Sequence, residues 1–450
     1  MPDNRKNRPV PTGKLERLFG LGAMAASIGA GVAFSGARQL LSGRPPSLSE
    51  LVLAPANALR VAEQLSHMRG AAMKLGQLLS MDAGQILPAE WSTILARLQT
   101  DASPMPVRQL EQQLSQQWGP NWRDRFEHFA MTPIAAASIG QVHRAKTRAG
   151  HDLAIKVQYP GVAASIDSDL DNIVSLLAVS HLIPPGVSLD GMVAEARLQL
   201  RQEADYLHEA DQIRRYGALV AGDPTVLVPE VDAELTGPAV LAMTYIDSVP
   251  IDWLLKRPQA ERNAVAERLI RLTLQEVFDF GVIQTDPNFA NFRYQPSTGR
   301  LVLLDFGATR TIPAELVAKL RVLLGAALSR DRTQQRSAML DIGYFEPQQH
   351  RLAQLALDLL GIGMDEVMAV PKFDFARADL PRRARDRALA AGFGADLWSM
   401  PPIDTLFVHR KIGGMYLLAS RLGATINVRS LLEAFATRPL HGVNARATAD

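Results

Sequence analysis

Three polar signatures, each beside an apolar stretch, most constrain what this chain can fold into. Lys156 lies in the alternating run DLAIKVQ, Asp286 and Asn291 share the D-x-x-x-x-N spacing of QTDPNFAN, and Asp305 closes the run LVLL. Strand ends and the loops that follow them are places where a fold presents reactive side chains. A lysine followed by carboxylate and amide oxygens suits the phosphates of a nucleotide and a magnesium ion. The signatures therefore predict an α+β fold with nucleotide chemistry in its middle segment.

A small-residue stretch precedes the lysine, where a protein kinase carries the glycine-rich loop that covers the nucleotide phosphates. In AAASIGQV only Gly140 is a glycine, and the Cβ of alanine restricts the backbone. The stretch is therefore expected to cover phosphates in a narrower set of conformations. Its predicted nucleotide-binding positions are Ala135, Ala136, Ala137 and Ser138.

The loop and the three signatures follow one another in the order of a protein kinase. Each motif alone is a weak signal, but the ordered set is specific. Lys156 is predicted to hold the phosphates of ATP or ADP as a point charge. Asn291 and Asp305 are predicted to bind Mg²⁺, and Asp286 is predicted to orient or deprotonate the nucleophile.

Lys156 is also expected to pair with a glutamate from a helix between the strand pair and the QTDPNFAN loop. Three glutamates occur at suitable places: Glu195, Glu203 and Glu209. The prediction prefers Glu203, in the sequence QEADY, and places it with Lys156 and Asp286 in the catalytic set.

Hydrophobic periodicity divides the chain into a helical front, a mixed middle and a helical back. It predicts strands at 134–146 and 152–158, helices over 162–217, and a long helix over Glu261–Phe280. The predicted organisation is a basic N-terminus (1–44), a helical extension (45–131), a smaller lobe with inserted helices (132–247), a mostly helical larger lobe (248–440) and a tail (441–450).

Composition excludes several classes of protein. Hydrophobic residues make up 47% of the chain and charged residues 21%, which excludes wholesale disorder. The net charge of +2 argues against a nucleic-acid partner. The absence of cysteine excludes disulfide scaffolds, thiol nucleophiles and cysteine-ligated metals.

An uncharged segment of twenty residues, 18–37, follows the basic N-terminus. It is long enough to cross a bilayer, and its small residues recur at four-residue spacing, which lets helices pack closely in lipid. Membrane association or helix-mediated homodimerisation is one interpretation. A flexible small-residue linker is the other, and the sequence gives them equal weight.

Further motifs make the chain resemble the UbiB/AarF family of atypical kinase-like proteins, which is linked to ubiquinone (coenzyme Q) biosynthesis. Lys74 and Gln77 stand in KLGQ, matching the family's KxGQ motif, and Glu203 and Asp205 match its ExD motif. The alanine stretch, QTDPNFANF, LLDFGATR, QYPGV and HRKIGGMYLL are similar as well. The resemblance spans about residues 60–435 and includes the branch with the mitochondrial coenzyme Q kinase-like proteins.

This resemblance implies a protein-kinase-like bilobal fold whose N-terminal helical extension covers the active site. Lys74 and Gln77 would lie in that extension, near acidic residues that include Asp205. The family implies a Mg²⁺-dependent ATPase that supports ubiquinone or related isoprenoid-lipid synthesis at a membrane. Its expected partners are a nucleotide, a membrane lipid or prenyl-phenol intermediate and a lipid-biosynthesis complex. The expected location is the bacterial cytoplasm, with peripheral or single-span attachment to the inner membrane, or the mitochondrial inner membrane in a eukaryote.

Two alternatives remain open from the sequence. A nucleotide-binding scaffold of a lipid-biosynthesis complex would use ATP or ADP only as a conformational ligand. A protein kinase is disfavoured, because few residues separate Gly307 from Pro313 and no A-P-E segment follows to hold a peptide. Gln284 and Thr285 also replace the His-Arg that usually precedes the catalytic aspartate.

Overall fold

A computed structural model describes residues 104–137, 139–179, 190–392 and 401–438. Several predictions lie outside these residues: those for 18–37, for Lys74 and Gln77, for Ser138, for most of the 45–131 extension and for the 441–450 tail. Within the described ranges, no helix is both long and apolar enough to cross a membrane.

The described helices are α1 (Val107–Trp118), α2 (Val162–Val179), α3 (Asp190–Glu203), α4 (Tyr206–Val220), α5 (Gln259–Gln275), α6 (Ala314–Leu328), α7 (Arg332–Ile342), α8 (His350–Ala369), α9 (Leu380–Ala390), α10 (Ile403–Arg421) and α11 (Val428–Ala436). The described strands are β1 (Phe126–Phe129), β2 (Ala135–Ala136), β3 (Gly140–Thr147), β4 (Asp152–Gln158), β5 (Val226–Leu227), β6 (Val240–Thr244), β7 (Val249–Pro250), β8 (Val282–Gln284), β9 (Phe292–Gln295), β10 (Arg300–Leu303), β11 (Thr309–Thr311), β12 (Phe373–Asp374) and β13 (Thr425–Ile426).

The chain divides into two compact units. The first comprises Met1–Arg215 and Pro229–Ile246, and the second comprises Tyr216–Val228 and Asp247–Asp450. The division falls within α4, so that the last residues of this helix belong to the second unit.

The first unit is built on an antiparallel sheet with the strand order β1–β3–β4–β6. The short β2 pairs with the N-terminal end of β3. Nearly all side chains of β4 are buried, so both of its faces are covered, whereas burial alternates along much of β3. Leu110 and Leu114 of α1 share a core with Ile155 and Val157 of β4. Each such leucine contributes about 1.5–3 kcal/mol by leaving water. The predicted strand pair is confirmed.

The helical region predicted over 162–217 consists of α2, α3 and α4 in the structure. The break between α3 and α4 has a local cause at Asp205, whose Oδ1 accepts a hydrogen bond of 2.9 Å from the backbone N–H of His208. An aspartate at this position satisfies an N–H that lacks a partner in the first turn of a helix, so it favours a new helix start. This cap therefore favours the start of α4 at this point.

The second unit contains a four-stranded sheet with the order β5–β10–β9–β7, and a separate antiparallel pair of β8 and β11. The long helix predicted over Glu261–Phe280 is present as α5 followed by a π-helical turn over Glu276–Phe280. Gly281, with φ 61°, ends that turn and leads directly into β8. A π turn widens the helix locally and re-aims its side chains, here immediately before the loop that carries Asp286.

Candidate active site

Lys156 occupies the middle of the first unit's sheet. Its backbone lies opposite Val142 of β3 and Leu241 of β6, so hydrogen-bonded strands hold it from both sides. The residue is only 9% exposed. Its ammonium donates to both carboxylate oxygens of Glu209, at 2.9 and 2.8 Å. The ammonium also lies 5.1 Å from the centre of the Tyr206 ring, within reach of a cation–π attraction.

The preference for Glu203 as the ion-pair partner of Lys156 was wrong, since Glu209 makes the ion pair in the structure. Glu203 is the last residue of α3, whereas Glu209 lies in the first turn of α4, after the cap at Asp205. Glu209 is fully buried, and burying a carboxylate requires a partner of opposite charge. Lys156 supplies that charge. Glu203 is itself buried, and Asp205 is exposed at the start of α4. Because Lys74 and Gln77 lie outside the described residues, their predicted position near these acidic residues stays a prediction.

The alanine stretch folds back on β3. Ala135 and Ala136 form β2, opposite Val142 and Gln141, and the N–H of Ala137 donates to the carbonyl of Gly140 at 2.9 Å. A Cβ at Gly140 would lie 2.3 Å from the carbonyl oxygen of Val157, so only glycine allows this close approach of the two strands. The stretch is therefore anchored to the same sheet as Lys156.

In the second unit, hydrogen bonds to the main chain link the segment of Asp286, the predicted catalytic aspartate, to those of the two predicted Mg²⁺ ligands, Asn291 and Asp305. The side-chain amide of Asn291 donates to the carbonyl of Asp286 at 3.3 Å. The N–H of Leu304 donates to the carbonyl of Asn291 at 3.2 Å, which ties the 286–291 loop to the residue before Asp305. The N–H of Gly307 donates to Oδ1 of Asp305 at 3.1 Å. The chain segments that carry Asp286, Asn291 and Asp305 are thus linked, and the roles of these residues at Mg²⁺ and at the nucleophile stay predictions.

These oxygens suit magnesium. Mg²⁺ is usually bound by one or two protein oxygens, with waters and substrate phosphates completing its shell, rather than by an all-protein cage. In the described ranges, no group of three or more His, Cys, Asp or Glu side chains could hold a metal by itself. An amide oxygen from Asn291 and a carboxylate from Asp305 fit the phosphate-assisted arrangement.

The sequence analysis did not identify a buried polar cluster that contacts Gln284, just before the Asp286 loop. The ammonium of Lys411, in α10, lies 2.8 Å from a carboxylate oxygen of Glu276, and the side chains are 1% and 0% exposed. Tyr216 donates its hydroxyl to Glu276 at 2.7 Å. Burial, and then the charge of Glu276, raises the pKa of Tyr216 well above its usual range. Lys411 also donates to the side-chain oxygen of Gln284 at 3.4 Å.

Gln284 links this cluster to Asp305. Its side-chain amide donates to the backbone carbonyl of Asp305, and its own N–H lies 3.4 Å from Glu276. Phe306, next to Asp305, is fully buried with its ring 4.9 Å from that of Tyr216. In the sequence, the only indication of this Gln284–Asp305 contact was that Gln284-Thr285 replaces the usual His-Arg of protein kinases.

The segment after Asp305 is short. β11 pairs with β8 in an antiparallel register that sets Thr309 opposite Gln284, and α6 begins at Ala314. Only Ile312 and Pro313 separate the strand from the helix. The expectation that no extended peptide-holding segment follows Gly307 is confirmed for residues 307–314.

Comparisons with known proteins agree on one family. A sequence profile of the ABC1 atypical kinase-like domain matches residues 97–339. The atypical kinase COQ8 of Saccharomyces cerevisiae is 38% identical over 435 residues, which is 96% of this chain and 86% of the yeast protein. This chain belongs to the ABC1 atypical kinase-like family. The expected resemblance to the UbiB/AarF proteins is thereby confirmed.

Two further relatives support the same family and fold. COQ8B of Rattus norvegicus is 33% identical over 444 residues, covering 96% of this chain and 82% of the rat protein. A Mycobacterium tuberculosis protein, solved in complex with erythromycin, is 26% identical with a TM-score of 0.59, covering 83% of this chain and 95% of that one. The ABC1 chain described here therefore has the expected kinase-like α+β fold and the catalytic class of an atypical kinase or ATPase.

Proposed function

We propose that this ABC1 protein is a Mg²⁺-dependent ATPase whose activity supports the synthesis of ubiquinone (coenzyme Q) or a related isoprenoid lipid. The observation that carries the chemistry is the link from Asp286 through Asn291 to the residue before Asp305, made by hydrogen bonds of 3.3 and 3.2 Å. This set is what phosphoryl transfer requires of a protein, because its catalysis is mostly positioning and charge neutralisation.

Each residue has a role in that proposal. Lys156, positioned by Glu209, holds phosphate oxygens through its ammonium. Asn291 and Asp305 would hold Mg²⁺ through their side-chain oxygens. The ion, when bound, neutralises charge that develops on the phosphates. Asp286 orients the attacking water or acceptor hydroxyl.

The lipid part of the proposal is supported by the relatives. The yeast and rat proteins are named atypical kinases COQ8 and COQ8B and are mitochondrial. The short connection from Gly307 to α6 is a poor platform for a peptide, which favours water or a small hydroxyl compound as the acceptor. A prenyl-phenol intermediate in a membrane is the acceptor or activator that fits, with the uncharged 18–37 segment as the proposed attachment and dimer contact.

The test is phosphate release from Mg-ATP by the purified full chain, with vesicles and a soluble phenol as activators. Asp305→Asn and Asp286→Asn should each lower the rate by about 10²-fold or more, since each removes a group that acts on the transferred phosphate. Equal, slow release by wild type and Asp305→Asn would contradict the enzymatic proposal.

The alternative function, a nucleotide-binding scaffold, is suggested by the alanine stretch at β2, which replaces the glycine-rich loop of a protein kinase. Complementation of a ubiquinone-deficient deletion strain separates it from the enzyme. Full rescue by Asp286→Asn, in a chain that still binds nucleotide, would support the scaffold; loss of rescue supports catalysis. Accumulation of a defined lipid intermediate in the deletion strain identifies the step that needs this protein.

A further inference from the structure

Helix α10 contacts the chain near Asp286 at two points, one at the end of β8 before the aspartate and one in the loop after it. Before Asp286, Lys411 donates to Gln284 at 3.4 Å. After Asp286, Gly414 packs against Pro287. Both α10 residues belong to HRKIGGMYLL, and the proposed chemistry assigns neither of them a role.

The first contact belongs to the enclosed polar cluster. Lys411 is 1% exposed and neutralises Glu276, which in turn accepts from Tyr216. The Lys411 ammonium also lies 5.5 Å from the centre of the Phe292 ring, directly after Asn291. One buried ammonium therefore touches residues just before and just after the 285–291 stretch. The cluster is held at Glu276 Oε1, which accepts from Tyr216, Lys411 and the N–H of Gln284. Buried hydrogen bonds of this kind rigidify the residues that they join.

The second contact depends on the absence of a side chain. A Cβ at Gly414 would stand 2.0 Å from Cβ of Pro287, closer than any two carbon atoms can pack without a bond. Glycine in a helix interior costs about 0.5–1 kcal/mol relative to alanine, so it needs a compensating contact. At the neighbouring Gly413, a Cβ would meet nothing within 4 Å.

We propose that α10 is the positioning element for Asp286, acting through Lys411 on one side and Gly414 on the other. The proposal rests on the ATPase function above and adds the residues that set its geometry. Residues 285–288 have no regular secondary structure of their own, and the Asp286 side chain is half-buried. Because a misplacement of about 1 Å can cost about 10²-fold in rate, a loop of this kind requires an external support.

Gly414→Ala and Gly413→Ala form a matched pair of variants in the full chain, since both exchange glycine for alanine in one helix. We expect Gly414→Ala to lower kcat for Mg-ATP hydrolysis by about tenfold to 10²-fold, with KM changed by less than about threefold. Gly413→Ala should leave both constants unchanged. Hydrogen exchange in the nucleotide-free chain should accelerate over 284–291 in Gly414→Ala alone.

The exchange measurement separates this proposal from the ATPase proposal. If wild type releases no more phosphate than Asp286→Asn, the ATPase function fails, and the exchange comparison alone decides whether α10 supports the loop. Equal kcat and equal exchange in the two alanine variants would overturn the positioning role.

Two double variants cover the case in which Gly414→Ala does not fold. Pro287→Gly with Gly414→Ala removes the colliding Cβ and should recover part of kcat. Glu276→Gln with Lys411→Met removes both buried charges at similar volume, so it should fold while its 284–291 exchange accelerates and kcat falls about tenfold. Wild-type kcat and exchange in the second double variant would also overturn the proposal.

Discussion

Two buried lysine–glutamate pairs of the same chemistry differ in what surrounds them. Lys156 and Glu209 in the first unit, and Lys411 and Glu276 in the second, each have an N–O distance of 2.8 Å. The Lys156 side chain retains 11% exposure, whereas that of Lys411 has 1%. A lysine whose side chain is partly accessible can meet a phosphate. A fully enclosed one can act only on the protein, here on Gln284 at the end of β8, just before the Asp286 loop.

The largest expected effect comes from breaking the enclosed pair. Lys411→Met should lower the free energy of unfolding by about 3–5 kcal/mol, because it leaves the Glu276 carboxylate buried without a counter-charge. Urea denaturation followed by tryptophan fluorescence measures this loss. Adding Glu276→Gln should return most of the stability. A loss below about 1 kcal/mol for Lys411→Met would mean that the pair is not enclosed in solution.

Substitutions in the partly accessible pair, Lys156 and Glu209, should change mainly the rate of ATP hydrolysis. Lys156→Met is expected to slow Mg-ATP hydrolysis by about 10²-fold, or about 2.7 kcal/mol of transition-state stabilisation, because phosphate oxygens lose their cation. Glu209→Gln keeps the side chain's shape and should slow hydrolysis less, since the ammonium remains. The comparison between the pairs fails if Lys156→Met hydrolyses ATP at the wild-type rate while Lys411→Met retains full stability.

His143, a buried residue on the same sheet as Lys156, should have a smaller effect on stability, and this effect should depend on pH. Nδ1 of His143 donates to the carbonyl of Ala130 at 2.7 Å, and Nε2 accepts from Gln141 at 2.8 Å, a pattern that fits the neutral ring. Burial lowers the pKa of His143 below its usual 6.5, and the Ala130 hydrogen bond opposes this only in part.

The sign of the pH dependence follows from that lowered pKa. Stability from His143 is complete above pH 6.5 and falls as the pH drops toward the lower folded value, at up to about 1.4 kcal/mol per pH unit. His143→Asn should therefore lose less stability than wild type between pH 7.5 and pH 5.5 in urea titrations. His128→Asn, an exposed change in β1, is the control. If His143→Asn loses as much stability as wild type between pH 7.5 and pH 5.5, the His143 ring is not the neutral buried group described above.

The smallest effect is expected from an exposed pair. Arg429 and Glu433 lie one turn apart in α11 at 2.7 Å, with side chains 50% and 47% exposed. Arg429→Gln should cost about 0.3–0.5 kcal/mol, and less at high salt, because water competes for both charges. A loss as large as that of Lys411→Met would show that burial is not what distinguishes the pairs.

The residues that the sequence analysis located are those whose signal is local. Lys156 could be placed because it stands in an alternating strand, and Asp286, Asn291 and Asp305 because short motifs fix their spacing. The glutamate partner could not be chosen correctly, since that choice depends on where α4 begins and hence on the cap at Asp205.

The Lys411–Glu276 pair was out of reach for a different reason. Its members are 135 residues apart, and no periodicity within either segment couples them. Contacts of such separation are set by how helices and strands pack. The stretch HRKIGGMYLL was noted only for its resemblance to the family, and only the fold shows that Pro287 fills the space beside Gly414.

The tie between the strand before Asp286 and the segment after Asp305 has a consequence for small-molecule ligands. Gln284 binds the Asp305 carbonyl, and the N–H and hydroxyl of Thr285 both bind the Ala308 carbonyl, at 3.0 and 2.7 Å. A compound that expels the Phe306 ring must therefore disturb a segment that these hydrogen bonds hold at Asp305 and at Ala308. Inhibitors of this protein should be sought among compounds that leave Phe306 in its place.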